Sequence, residues 1–130
     1  MALAMVLLLS GIGLLRQDLA YTRAETELSF WGRGDYQPRE HTIERTGQDI
    51  AALLAAQPAR PDYLSLDAYY LSWRGHWSTG VNERLGFNQQ AVDSQYAALQ
   101  ARPAHRQGWA IMLEYASRTS RFCIQVRSAV

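Results

Sequence analysis

The stretch from Ala52 to Trp73 recurs 45 residues further on, and this recurrence restricts the chain to architectures built from a repeated helical unit. Setting Pro58 on Pro103 also aligns Ala52 with Ala97, Leu54 with Leu99, Ala56 with Ala101, Ala59 with Ala104, Tyr70 with Tyr115 and Ser72 with Ser117. Each copy reads as an Ala/Leu-rich helix end, a break at proline and an aromatic-bearing helix. Proline lacks an amide hydrogen and clashes with the preceding turn, so neither helix continues through it. The unit is a helix, a tight turn and an antiparallel helix, which cannot bury its apolar faces alone. The expected fold class is all-α: antiparallel helix hairpins following an N-terminal hydrophobic helix.

With 130 residues, 48% of them apolar, there is material for one well-cored domain. The formal net charge of +1 gives no electrostatic reason to expect nucleic acid or an acidic polymer as partner. All 13 basic residues are arginine, a composition typical of GC-rich bacterial genomes. Cys123 stands alone, so neither an internal disulfide nor a cysteine metal cluster is expected.

Residues Ala2 to Leu15 carry no charge. A complete membrane span needs about 20 apolar residues, and an export signal has an apolar core of about 7–15. Residues 1–16 are therefore expected to be a membrane anchor, truncated at its start, or an export signal; a buried core helix is the third reading. By the positive-inside tendency, Arg16 after the run would place the body in the cytoplasm, but the flank to compare it with is expected to lie upstream of Met1. From Gln17 to Trp31, Ala20, Ala24, Leu28 and Trp31 recur at helical spacing until Gly32 and Gly34 stop the helix. A second helix is expected from Thr42, as N-cap, to about Gln57, with Ile43, Thr46, Ile50, Leu53 and Leu54 inward. Pro61-Asp62 opens the third, which carries aromatic and aliphatic stripes over much of its circumference. Gly75 to Asn88 reads as irregular, with Asn88 capping a helix that turns Ala91, Val92, Tyr96, Ala98 and Leu99 inward. After Pro103 a last helix should turn Trp109, Met112, Leu113 and Ala116 inward. In the tail, 119–130, Phe122, Ile124 and Val126 alternate like a strand that has no partner, so this segment is expected to be disordered or cut short.

Ala91, Ala98 and Pro103 stand at the spacing of the two small packing residues and the terminal proline of the tetratricopeptide (TPR) motif, and Trp109 falls near the start of the next unit. The segment 17–118 thus resembles a TPR-like helical domain. Ala20-Tyr21-Thr22-Arg23-Ala24-Glu25-Thr26-Glu27-Leu28-Ser29-Phe30-Trp31-Gly32-Arg33-Gly34, with Tyr63-Leu64-Ser65-Leu66 and Trp73-Arg74-Gly75, resembles VpsP-type proteins of bacterial exopolysaccharide biosynthesis. The tail after Arg118 departs from that group. The resemblance implies a small, non-catalytic protein at the inner membrane, and the body is expected in the periplasm. Its partners would be proteins of a polysaccharide synthesis or export machinery, and it would use no cofactor.

For ligand chemistry, Tyr69, Trp73, Arg74, His76 and Trp77 form the candidate binding cluster. Flat rings stack on the apolar faces of pyranoses, while Arg or His can hydrogen-bond the hydroxyls. Trp73 and Trp77 are one helical turn apart and share a face. Alternatively the rings are core, closed off by Leu54, Tyr96 or Leu99. The sequence thus leaves three functions open: a membrane-held interaction scaffold, a periplasmic sugar-binding or sugar-processing protein, or a cytoplasmic adaptor whose apolar start is core. Catalytic and metal signals are thin. His41, His76 and His105 share no ligand spacing, and neither a phosphate loop nor a nucleophile elbow occurs.

Overall fold

A computed structural model describes the backbone of residues 2–128 and the side chains of residues 11–121. The side chains of the first part of the apolar run, and of Phe122, Ile124 and Val126, lie outside the described residues. The described chain is all-α, with helices α1 (Ala2–Phe30), α2 (Glu40–Ala56), α3 (Pro61–Trp77), α4 (Val81–Ala101) and α5 (Arg106–Ser128). They fall into two compact units, Met1–Ala56 and Gln57–Val130, so the boundary lies inside the expected 17–118 body.

The recurrence seen in the sequence has a structural counterpart. The amide of Arg60 donates to the carbonyl of Gln57 at 3.2 Å, and the amide of His105 donates to that of Arg102 at 3.1 Å. The helices on either side of the two turns end at Ala56 and Ala101 and resume at Pro61 and Arg106. The same residue pattern, an apolar helix end followed by Pro-Ala, thus carries the same local backbone hydrogen bond at both places.

In the first unit α1 packs on α2. Ala24, Leu28 and Trp31 of the predicted stripe are buried, as are Thr46, Ile50 and Leu53 facing them in sequence pattern. Arg23 makes two hydrogen bonds to the Asp49 carboxylate, at 2.7 and 2.6 Å, tying α1 to α2 at the surface. The helix ends in a turn that needs left-handed backbone, supplied by Gly32 at φ 78° and Gly34 at φ 55°. The Glu27 carboxylate holds this turn by accepting from Trp31 Nε1 at 3.0 Å and from the Tyr36 hydroxyl at 2.5 Å. That bond to Glu27, with burial second, raises the Tyr36 pKa. Helix α2 begins at Glu40, two residues before the expected cap, and Thr42 instead lies in the first turn. Upstream, Ile12, Leu14, Leu15 and Leu19 are exposed on α1. Among the described residues no helix is long and apolar enough to cross a membrane.

In the second unit α4 packs on both α3 and α5. One core cluster is Ala68, Ala91 and Tyr115, with Leu71, Val92 and Ile111 packed against it, and Tyr63, Leu66, Ala98 and Leu99 are buried as well. Only a short link, Ser78 to Gly80, separates α3 from α4, so the expected irregular segment Gly75–Asn88 is mostly helix. Asn88 does not cap α4; it is buried inside it against Gly75, where a Cβ would stand 2.6 Å from its Oδ1. The link is held by Arg84, whose guanidinium donates to the Ser78 carbonyl at 3.2 and 2.7 Å. At the other end of the α3–α4 pair, Arg102 donates to both Asp62 oxygens, at 2.8 and 3.1 Å.

Helix α5 runs on through the segment expected to alternate as a strand. A strand without a partner leaves its backbone polar groups unpaired, whereas a helix pairs them internally. The rotation of α5 also differs from expectation. Trp109 is 37% and Leu113 65% exposed, and Gly108 and Tyr115 are buried in their place. The cause is the close approach at Gly108, where a Cβ would lie 2.7 Å from Leu99 Cδ2 and from His105 Nδ1. Gln95, not Tyr96, faces this approach and donates to the Gly108 carbonyl at 3.3 Å, leaving Tyr96 49% exposed.

Asp67 on α3 accepts a 2.6 Å hydrogen bond from the Ser94 hydroxyl on α4. Burial raises its pKa above the ordinary 3.8, and the bond from Ser94 opposes that shift. A carboxyl with a raised folded-state pKa stabilises the fold in acid, and this contribution is lost as the pH climbs through the raised value. Asp67→Asn keeps an acceptor for Ser94 but cannot ionise. Chemical denaturation should find the variant gaining on the native chain as the pH rises from acid to neutral. A pH-independent difference would show that Asp67 is not desolvated.

Candidate functional site

Helix α3 is apolar on more than one face because α4 covers one and α5 approaches another. Beside the core, α3 and α5 leave an open groove of about 360 Å³. Its α3 wall is Tyr69, Trp73 and His76, at i, i+4 and i+7, with Ser72 lower down; its α5 wall includes Ile111, Glu114, Tyr115 and Arg118. The 3.6-residue period thus lines up one ring per turn along one helix and one polar group per turn along the other.

The rings form an ordered cluster. Trp73 meets Tyr69 edge-on at 6.3 Å and 85°, and His76 edge-on at 5.3 Å and 84°. Trp77 packs against Trp73 at 5.3 Å, tilted by 35°. Both tryptophans are half-buried, so they are not the closed core that Leu54, Tyr96 or Leu99 was expected to seal. The core position belongs to Tyr115, 6% exposed.

Of the five residues in the candidate cluster, Tyr69, Trp73 and His76 line the groove. Trp77 supports Trp73. Arg74 belongs elsewhere: its guanidinium lies over the Phe87 ring at 5.2 Å and donates to the Tyr70 hydroxyl at 3.4 Å, next to α4. Residue 74 falls between 73 and 77 on the helix and so takes the neighbouring face. The basic group in the groove is Arg118, which the sequence reading missed along with Glu114. The pairing of Tyr70 with Tyr115 across the 45-residue spacing marked α5 as equivalent to α3, but not that the two would face one groove.

Arg118 is ion-paired with Glu114 at 2.5 Å, with side chains 41% and 56% exposed. The pair leaves the wall without net charge while keeping both donors and acceptors available. At the base, the Tyr115 pKa is pushed up to about 12, chiefly by burial, against the hydrogen bond with Ser72. Its hydroxyl is therefore protonated throughout the physiological range. Ser72 in turn donates to the Tyr69 carbonyl at 2.8 Å. Among the described residues no group of His, Cys, Asp and Glu side chains is arranged to hold a metal ion. The arrangement can bind by ring stacking and by paired polar contacts. Comparison with models of protein families, with curated proteins and with solved structures finds no match to this chain.

Proposed function

We propose that this protein is a non-catalytic, TPR-like interaction scaffold, held at the bacterial inner membrane by its N-terminus with its body in the periplasm. On this reading it serves exopolysaccharide assembly or export by binding partner proteins of that machinery. The observation that carries the scaffold reading is the repeated turn, with the same backbone hydrogen bond from Arg60 to Gln57 and from His105 to Arg102. The small residues of the TPR-like pattern support it, since Ala91 is 0% and Ala98 3% exposed. The exposure of Ile12, Leu14, Leu15 and Leu19 on α1 supports the membrane attachment, because large apolar side chains exposed close together mark an interaction surface. The exopolysaccharide context rests on the sequence resemblance alone.

Fractionation tests the attachment. The expressed chain should sediment with membranes and be released by detergent but not by high salt. Glutamate at both Leu15 and Leu19 should move it toward the soluble fraction, since charge is costly to bury in lipid. Native chain recovered in the soluble fraction with Met1 intact would overturn membrane attachment.

A further inference from the structure

The α3–α5 groove has the composition of a binding site for an uncharged pyranose, and we propose that it holds one or two such sugar rings. The proposal rests on reading the chain as a binding protein rather than an enzyme, and it needs neither the membrane nor a partner protein.

Size comes first. At about 360 Å³ the groove lies near the lower end of small-molecule sites, which span roughly 300–1,000 Å³, so it suits a short saccharide. The rings supply the second argument. Trp73 is held between two edge-on neighbours, Tyr69 and His76, and is backed by Trp77, so its position is set before any ligand arrives. A pyranose carries C–H groups on its faces and hydroxyls around its rim. It therefore stacks on a π face whose partial charge is negative and needs polar partners to the side. Those partners are the third argument. Glu114 and Arg118, across the groove, offer a carboxylate acceptor and a planar guanidinium donor next to one another, matching the donor and acceptor character of neighbouring hydroxyls.

Charge selects against other ligands. A site for phosphate or a uronic acid would leave its arginine unpaired for the anion, whereas Arg118 is neutralised by Glu114. An apolar peptide would want aliphatic pockets, and Ile111 is the aliphatic residue of this lining.

Saturation-transfer NMR and calorimetry on the full chain decide the matter. The probes are methyl glucoside, methyl galactoside, methyl mannoside, N-acetylglucosamine and their β-linked disaccharides, beside inorganic phosphate, glucuronate and a proline-rich peptide. At least one neutral saccharide should bind saturably. Trp73→Ala, Arg118→Ala and Glu114→Gln should each weaken it about tenfold or more, while Trp109→Phe, outside the groove, leaves it unchanged. Circular dichroism accompanies each variant; if Trp73→Ala unfolds, the exposed pair of Arg118 and Glu114 variants decides alone. No binding by any neutral saccharide, binding unaffected by the groove variants, or preference for phosphate, glucuronate or the peptide overturns the proposal. Membrane retention is unaffected by any of these results, so this failure is separable from that of the scaffold reading.

Discussion

Truncating Tyr115 to alanine should cost roughly 3–5 kcal/mol, the range for removing a buried aromatic ring. The ring is 6% exposed and packs against Ala68 of α3 and Ala91 of α4, both 0% exposed. Two methyl groups cannot expand into the vacated space, and Leu71, Val92 and Ile111 at the rim are fixed by their own helices. A small domain has only about 5–15 kcal/mol of stability, so the variant should unfold far earlier in denaturant or on heating. Tyr115→Phe isolates the hydroxyl. It removes the hydroxyl beside Ser72 and should cost about 0.5–1.5 kcal/mol. The pKa sign gives a second readout. A tyrosine raised from 10.0 to about 12 stabilises the fold below pH 10, and that contribution is lost as the pH rises through 12. The native chain should lose stability in that alkaline window relative to Tyr115→Phe. A Tyr115→Ala variant as stable as the native chain would remove Tyr115 from the core and take the base of the groove with it.

Gly75→Ala should destabilise, although the same change in an ordinary helix interior is stabilising by up to about 1 kcal/mol. Here the added Cβ meets Asn88 Oδ1 at 2.6 Å and Cγ at 3.3 Å, with the Arg84 carbonyl at 3.4 Å. Asn88 is 5% exposed, so its amide must shift within the packed interior to admit the methyl group. Overpacking of this kind costs about 1–3 kcal/mol and should outweigh the gain in propensity. Combining Gly75→Ala with Asn88→Ala removes the obstruction, so the double variant should be more stable than the single costs add up to, with a coupling of about 0.5–3 kcal/mol. Equilibrium denaturation of the four proteins closes the cycle. Additive costs would mean that α3 and α4 do not approach as closely at Gly75 as described.

How much of this was legible beforehand follows from which interactions are local. Helix punctuation is local: Pro61 opens α3, Pro103 lies in the turn before α5, and Gly32 and Gly34 end α1 as read. The stripes Ala24, Leu28, Trp31 and Thr46, Ile50, Leu53 were also readable, because each helix has one dominant apolar face. The second unit resisted the same treatment. Tyr96 was expected inside but is exposed while Gln95 is buried, and α5 was turned too far toward Trp109 and Leu113. Polar residues that find a partner, as Gln95 does at Gly108 and Asn88 does beside Gly75, can occupy interior positions that hydropathy assigns to others.

The candidate groove divides in the same way. Tyr69, Trp73 and His76 could be placed on one face from their spacing alone, since a helix repeats every 3.6 residues whatever surrounds it. That Glu114 and Arg118 stand opposite them could not be read, because the α3–α5 pairing spans some 45 residues and depends on how far each helix is rotated. The sequence by itself determined the all-α class, the repeated turn and the aromatic wall, all of which are set by neighbours a few residues apart. Tertiary structure alone decided that Arg74 faces Phe87, that Tyr115 is buried and that a neutral ion pair completes the groove. Those outcomes depend on close approach at Gly75 and Gly108, where the absence of a single Cβ sets how α3, α4 and α5 meet.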